Sequence, residues 1–114
     1  MSKRDNFLLL EDMLQAAQKI KNYTKDLDFN SFFSDEKTID AVVRNFEIIG
    51  EAANRIDVDF RAKYPETEWK RIRGFRNRIV HDYFGIDYEI VWDIIDIYLD
   101  ELINQLIVII AKQE

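Results

Sequence analysis

The chain has 114 residues, enough for one domain with a modest hydrophobic core. Apolar residues make up 47% and charged residues 33%, with 3 glycines and 1 proline, a composition typical of long helices with few turns. It has no cysteine and 1 histidine, which excludes disulfides, thiolate metal sites and a histidine-rich metal site within one chain. The N-terminus is charged, and no stretch approaches about 18 uncharged apolar residues. We therefore expect no signal peptide, no membrane span and a cytoplasmic protein that needs no cofactor.

The net charge of −6 argues against indiscriminate coating of nucleic acid, because such binding depends on neutralising phosphates. The charge is unevenly distributed, however. Residues 61–78 carry seven basic residues against two acidic ones, a local charge of +5, which leaves −11 for the rest of the chain. This basic segment is either a solvated helix surface or a patch that binds RNA. Its candidate RNA-binding residues are Lys70, Arg71, Arg73 and Arg78.

Apolar residues at steps of three and four predict helices through most of the chain. The first helix spans residues 6–25, with Asp5 or Asn6 as its N-cap. A connector over residues 25–35 holds three phenylalanines among cap-forming residues, which predicts a short helical turn anchored by its aromatics. The second main helix spans residues 36–56.

Turn signals separate the second helix from the third. Asp57 can begin a short helical continuation, and Pro65 forces a boundary because the residue before a proline avoids helical geometry. The third main helix is predicted over residues 66–85, where Gly85 suits the position after a helix. The last helix spans residues 87–112, with Asp87 as its N-cap.

The last helix carries more apolar residues than one core-facing stripe can use. The run shows no period-two alternation, so a helix is favoured over a strand. We therefore predict that this helix packs both within its own chain and against a partner. The whole sequence predicts an all-α fold, an antiparallel four-helix bundle with one short extra helical turn.

Residues 74–85 combine the side chains that phosphodiester chemistry requires. Arg76, Asn77, His81 and Tyr83 lie within eight residues, and His81 is the only histidine. Arginine offers a permanently charged fork that suits phosphate. Histidine can both accept and donate a proton near neutral pH. The segment is therefore a candidate catalytic site.

On a straight helix, these side chains would point in different directions. Arg76 and Tyr83, seven residues apart, would share a stripe, and so would Asn77 and His81, four apart. Arg76 and His81, five apart, would diverge by about 140°. Two interpretations are therefore open. Either the helix unwinds near His81, or the Arg and His of one protomer meet their copies across a two-fold axis, which the surplus apolar surface favours.

The motif Arg76-x4-His81-x-Tyr83, with Asn77 directly after the arginine, resembles the signature of HepT-like toxins of the HEPN (higher eukaryotes and prokaryotes nucleotide-binding) superfamily. Residues 40–53 and 69–77 also resemble that family, so the similarity covers nearly the whole chain. The resemblance implies an all-helical homodimer in which the two motifs face each other. It further implies a metal-independent endoribonuclease, the toxin of a type II toxin–antitoxin pair that acts on tRNA or mRNA.

The resemblance also implies residue roles and a partner. Arg76 and His81 correspond to catalytic residues and Asn77 to an active-site helper. A minimal nucleotidyltransferase of the MntA type would neutralise the toxin by attaching AMP to Tyr83. An AMP placed beside Arg76 would block the arginine that is expected to hold RNA.

Structural explanations compete with these functional ones. A lone histidine is often a structural residue, Arg76 could pair with Asp82 or another acid, and Tyr83 could be a packing aromatic with a hydroxyl outlet. Trp69 and Trp92 are interpreted as packing residues. The alternative function is a non-catalytic module that docks a nucleotidyltransferase or a nucleotide.

Overall fold

The computed structural model describes residues 3–81 and 85–113, with His81 described by its backbone alone. The described chain is largely helical, which confirms the predicted all-α fold. Its helices are α1 (Lys3–Thr24), α2 (Phe29–Phe33), α3 (Glu36–Arg55), α4 (Val58–Ala62), α5 (Trp69–Arg73), α6 (Phe75–Ile79), α7 (Tyr88–Asp93) and α8 (Leu99–Ala111), with a π-helical segment, Ile94–Tyr98, between α7 and α8. Two short strands, β1 (Val80–His81) and β2 (Gly85–Ile86), pair antiparallel between α6 and α7. None of the helices within these two ranges has the length and apolar character needed to cross a membrane.

Helices α1 and α3 form an antiparallel pair that is tied together at one end by Asn6 and Asp57. Asn6 Nδ2 donates to Asp57 Oδ2 over 3.3 Å, and the Asp57 backbone N–H donates to Asn6 Oδ1 over 3.3 Å. Helix α1 already includes residues 3–5, so the prediction that Asp5 or Asn6 caps it is wrong. Asn6 is instead a buried residue of α1 that holds the end of α3.

The other two arms of the bundle are α5–α6 and α7–α8. Phe75 contacts Phe46 with ring centroids 5.2 Å apart, and Arg73 contacts Asn54, so α5 and α6 run antiparallel to α3. Helix α8 packs on α1, where Lys21 forms an ion pair with Asp100. The four arms enclose one apolar core, whose fully buried side chains include Leu10, Met13, Ile20, Val42, Phe46, Ile49, Ile72, Phe75, Ile94, Leu102 and Leu106.

The predicted connector with a short helical turn is confirmed as α2. Asp28 caps this helix by accepting a hydrogen bond from the Ser31 N–H over 2.8 Å, and Phe32 is fully buried. Asp35 then caps α3, since its carboxylate accepts from the Thr38 N–H over 3.1 Å and from the Thr38 hydroxyl over 2.8 Å. The hydroxyl and then the backbone of Thr38 hold the pKa of Asp35 below its ordinary value.

The third predicted helix differs most from the structure. It begins at Trp69 and not at residue 66, is interrupted at Gly74, and ends at Ile79, six residues before Gly85. Val80 leaves helical geometry with φ −107° and ψ 116°. Two β-branched residues in succession, Ile79 and Val80, favour this exit, because branching at Cβ costs side-chain freedom in a helix and suits a strand.

The last helical arm agrees with the predicted span to within one residue at each end. It begins at Tyr88, and the N-cap is Asp87, whose carboxylate accepts from the Ile90 N–H over 3.1 Å. The sequence did not predict its π-helical segment, which inserts one extra residue into a turn. Most of its surplus apolar side chains are buried within the chain. Among the described residues of this helix, large apolar side chains remain exposed at Ile97, Ile107 and Val108. Packing against a partner therefore stays a prediction.

Candidate active site

The break at Gly74 sets the direction of α6. Its N–H lies within hydrogen-bonding distance, 3.2 Å, of the carbonyls of both Lys70 and Arg71, which closes the last turn of α5. Helix α6 then begins at Phe75, and the buried side chains of Phe75 and Ile79 hold it against the core. Because Phe75 and Ile79 face the core, the three residues between them face the solvent. They are the exposed residues Arg76, Asn77 and Arg78.

His81 lies on the hairpin that follows α6 and not on the helix itself. Val80 pairs with Ile86 and His81 with Gly85, and the Asp87 N–H donates to the Ile79 carbonyl over 2.7 Å. The prediction that Asn77 and His81 lie one turn apart on a common helix is therefore wrong, because α6 ends before His81. The sequence left two interpretations open, and the structure agrees with the first: the helix ends before His81. A site completed across a dimer stays a prediction.

Several sequence-based expectations fall on residues that the structure does not describe. The expected modification site Tyr83 lies outside the described residues, and so does Asp82, the proposed structural partner of Arg76. Helix α6, which carries Arg76, ends at Ile79, and the helical stripe that Arg76 was expected to share with Tyr83 also falls outside the described residues. The expected roles of these side chains stay predictions.

An open groove with a volume of about 680 Å³ lies between α3 and the α5–α6 arm. One wall comes from α3 and carries acid and amide groups, Glu47, Glu51 and Asn54. The opposite wall is basic, with one amide, and comprises Lys70, Arg73, Arg76 and Asn77. Two of the predicted site residues, Arg76 and Asn77, thus share this groove with two of the candidate RNA-binding residues.

The helices are close at the floor of the groove because α3 has a glycine there. A Cβ atom on Gly50 would lie 3.1 Å from the Ile72 carbonyl oxygen, tighter than an ordinary contact. The absence of a side chain at Gly50 therefore brings α5 against α3.

Arg73 and Arg76 both line the groove, but they differ in their contacts. Arg73 Nε donates to Asn54 Oδ1 over 3.0 Å, so this guanidinium bridges the two walls. Arg76 is exposed, and it forms no ion pair with any residue in the ranges 3–81 and 85–113. Its fork of N–H donors is thus available to an anion that enters the groove from solvent.

Two further arginines of the basic segment, Arg61 and Arg71, have internal partners. Arg61 is buried, its Nη1 donates to the Ala53 carbonyl over 3.4 Å, and burial together with the charge of Arg73 lowers its pKa. Arg71 Nη1 lies 3.3 Å from Glu68 Oε2, and its guanidinium lies 4.4 Å from the centre of the Tyr98 ring. These contacts give Arg71 a structural role, and its predicted contact with RNA is untested.

Sequence reasoning missed the α3 wall as part of the site. Glu47, Glu51 and Asn54 follow one another at steps of four and three, which places them on one face of a helix. This spacing could have identified a polar face on α3. Nothing in the spacing shows that this face meets α6, because that depends on how α3 and the α5–α6 arm pack.

The fold and the groove together define a helical bundle with an exposed arginine beside a histidine-bearing hairpin. Residues 13–109 match the model of a protein family described as "Ribonuclease HepT-like". The chain therefore belongs to the HepT-like ribonuclease family, which confirms the resemblance found in the sequence.

Named relatives agree with this assignment. The chain is 46% identical over 95 residues to "Putative RNase MJ1380" of Methanocaldococcus jannaschii, covering 83% of this chain and 87% of that protein. It is 39% identical over 90 residues to "Probable ribonuclease HepT" of Thermococcus cleftensis, covering 79% and 82%. It is 36% identical over 105 residues to "Putative RNase TTE0752" of Caldanaerobacter subterraneus, covering 92% and 94%. No solved structure gives a significant match.

Proposed function

We propose that this protein is a metal-independent endoribonuclease whose catalytic groups are Arg76 and His81, with Asn77 as a helper. The observation that carries the proposal is the exposed Arg76, which lines a groove open to solvent and has no ion-pair partner among the described residues. The hairpin that follows its helix bears His81. Membership of a ribonuclease family supplies the substrate class.

Cleavage of RNA without a metal uses the neighbouring 2′-OH as the nucleophile. One group must take the proton of that hydroxyl, another must protonate the leaving 5′-oxygen, and positive charge must stabilise the phosphorane. In the proposed mechanism His81 transfers protons, while Arg76 binds the non-bridging phosphate oxygens by paired, charge-assisted hydrogen bonds. In a homodimer, the histidines of the two protomers would provide one group for each proton transfer.

The charges of the groove support an approach of RNA from the α6 side. Glu47 and Glu51 form no ion pair with other described residues, so their carboxylates repel phosphate from the α3 wall. Arg76 and Lys70 attract it to the opposite wall. The scissile phosphate is thus expected beside Arg76, on the side of the groove that leads to the hairpin.

Cleavage in the presence of EDTA tests the proposal directly. Purified protein should cut RNA with EDTA present and leave 2′,3′-cyclic phosphate ends. His81→Ala should remove this activity. Tyr23→Ala is the control, because Tyr23 is an exposed aromatic residue of α1, and this variant should retain the activity. Equal cleavage by His81→Ala and the parent would overturn the assignment of His81.

We further propose that the protein acts as a cytoplasmic toxin and that a MntA-type nucleotidyltransferase antitoxin neutralises it by attaching AMP to Tyr83. Expression of the protein alone should arrest growth, and Arg76→Ala should relieve the arrest. Co-expression with the transferase should add AMP, detected by intact mass and mapped to Tyr83. Harmless expression of the unmodified parent would favour the non-catalytic binding module.

A further inference from the structure

A cluster of five aromatic side chains joins α2 to α7 beside the hairpin. Phe33 and Tyr88 meet edge to face with centroids 5.0 Å apart, and Phe29 lies 5.9 Å from Phe33. Behind them Trp92 packs on Phe32, with centroids 5.2 Å apart. We call the outer three residues, Phe29, Phe33 and Tyr88, the aromatic shelf.

The shelf borders an open cavity of about 590 Å³. Phe33 is 53% exposed, although the neighbouring Phe32 is fully buried. The Asp28 cap and the buried Phe32 fix α2, so the fold holds Phe33 outward. A preformed aromatic surface open to solvent is a ready platform for stacking a planar ligand.

The shelf is continuous with the hairpin that bears His81. Ile86 of β2 lines the shelf cavity, and it pairs with Val80, while the adjacent Gly85 pairs with His81. The groove and the shelf lie at different points along α3. The groove includes Gly50, whereas α2 connects to Glu36, the first residue of α3. At 1.5 Å per residue, Gly50 and Glu36 are about 20 Å apart along the helix. Because α6 runs antiparallel to α3, the hairpin at its end lies between the groove and the shelf.

The charges around the shelf favour a base over a phosphate. Asp87 and Glu89 also line the cavity, and among the residues that the structure describes no basic one does. The Asp87 carboxylate caps α7 through the Ile90 N–H, while Glu89 is exposed and can accept hydrogen bonds from the donor edge of a base. A phosphate is repelled here, whereas the face of any nucleobase can stack.

We propose that the aromatic shelf binds an unpaired nucleobase of the RNA substrate, so that a single strand runs from the groove across the hairpin to the shelf. This inference rests on the proposed ribonuclease function and extends it to a class of substrate, single-stranded RNA. Recognition by stacking is tolerant of sequence, because every base presents a flat face.

The test uses a single-stranded 2′-O-methyl RNA oligonucleotide that contains 2-aminopurine, whose fluorescence falls when the base stacks. Blocking the 2′-OH prevents cleavage, so binding is measured separately from catalysis. The full-length parent should quench the probe on binding. Phe33→Ala should weaken binding roughly 5- to 150-fold, the range for loss of one base–aromatic stack. Phe33→Trp should retain both binding and quenching, and so should Tyr23→Ala, which alters an exposed aromatic that does not line the cavity.

The outcomes separate the shelf from the active site. Unchanged binding by Phe33→Ala would overturn the shelf. A changed oligomeric state of Phe33→Ala, measured by light scattering, would also overturn it, since the shelf would then be an interface between protomers. Loss of quenching by Phe33→Ala, with cleavage by the parent absent, would support the shelf and refute the proposed catalysis.

Discussion

His81 pairs with Gly85 across the β1–β2 hairpin, so the chain's only histidine is placed by a β-ladder and not by the helix that carries Arg76. Gly85 has a φ of +75°, and it is the only residue among those described with a positive φ. That conformation disfavours residues with a Cβ atom. The backbone geometry of the hairpin that bears His81 thus depends on the glycine at position 85.

Substitution of Gly85 should therefore disturb the hairpin. In Gly85→Ala the left-handed conformation costs about 1–2 kcal/mol. Apart from the two chain neighbours, no atom of the described part of the chain lies within 4 Å of the added Cβ, so the expected effect comes from the backbone conformation. We expect slower RNA cleavage and a lower melting temperature. Gly85→Asn is the matched control, because asparagine tolerates this conformation better; equal activity of Gly85→Ala and the parent would contradict the prediction.

Arg76 and Arg78 provide a matched pair of exposed arginines on α6. Arg76 lines the groove and Arg78 does not. Arg76→Ala should lower the cleavage rate roughly 10²- to 10³-fold, because the phosphorane loses its main electrostatic partner. Arg78→Ala should cost much less and act on binding in a salt-dependent way. Single-turnover cleavage at two salt concentrations distinguishes the variants, and similar losses for both would refute a special role for Arg76.

The close approach of α3 and α5 can be tested at Gly50. In Gly50→Ala the new Cβ would lie 3.1 Å from the Ile72 carbonyl oxygen, which belongs to the closing turn of α5 and cannot shift freely. We expect a net loss of about 1 kcal/mol in the free energy of unfolding, despite the better helix propensity of alanine. Gly74→Ala would meet its nearest atom, the Lys70 carbonyl oxygen, at 3.4 Å and should lose less. Urea unfolding compares the two; a more stable Gly50→Ala protein would show that the groove can widen without cost.

Tyr98 should make the fold sensitive to alkaline pH. Burial, and then the charge of Glu68, raise its pKa from 10.0 to about 12, although nearby Arg71 lowers it. The pKa of Tyr98 is higher in the folded state than in the unfolded state. Its contribution to the free energy of unfolding is therefore complete below pH 10 and is lost as the pH rises towards 12.

The matched variant for this prediction is Tyr98→Phe. The Tyr98 hydroxyl is buried without a hydrogen-bond partner among the described residues, so its removal should not reduce stability at neutral pH. Between pH 10 and pH 12 the melting temperature of the parent should fall more steeply than that of Tyr98→Phe. Parallel curves would show that the tyrosine does not ionise within the fold.

Sequence patterns were sufficient for the parts of the fold that depend on local chemistry. Apolar periodicity predicted the four arms, and the cap residue Asp87 predicted the start of α7. The motif also identified Arg76 and Asn77, which the structure places together in one groove. In each case the signal is contained in a few neighbouring residues.

The sequence prediction was incomplete where pairing with a second segment overrides the helical pattern. An uninterrupted helix to residue 85 was expected, but β1 pairs with β2 and α6 ends at Ile79. A local pattern cannot report that pairing, because the hydrogen bonds come from residues beyond the helix. The π-helical segment Ile94–Tyr98 was also not predicted, because the apolar spacing was interpreted with the period of a regular α-helix.

By itself, the sequence determined that this chain is a helical bundle of the HepT-like ribonuclease family, because amphipathic periodicity and a short motif are written in neighbouring residues. Only the tertiary structure decided what surrounds that motif. It set the acidic α3 wall opposite Arg76, placed His81 on a hairpin, and set the aromatic shelf beside that hairpin. The hairpin depends on backbone pairing with residues beyond α6, whereas the groove and the shelf join residues far apart in the chain and arise from how helices pack around a shared core.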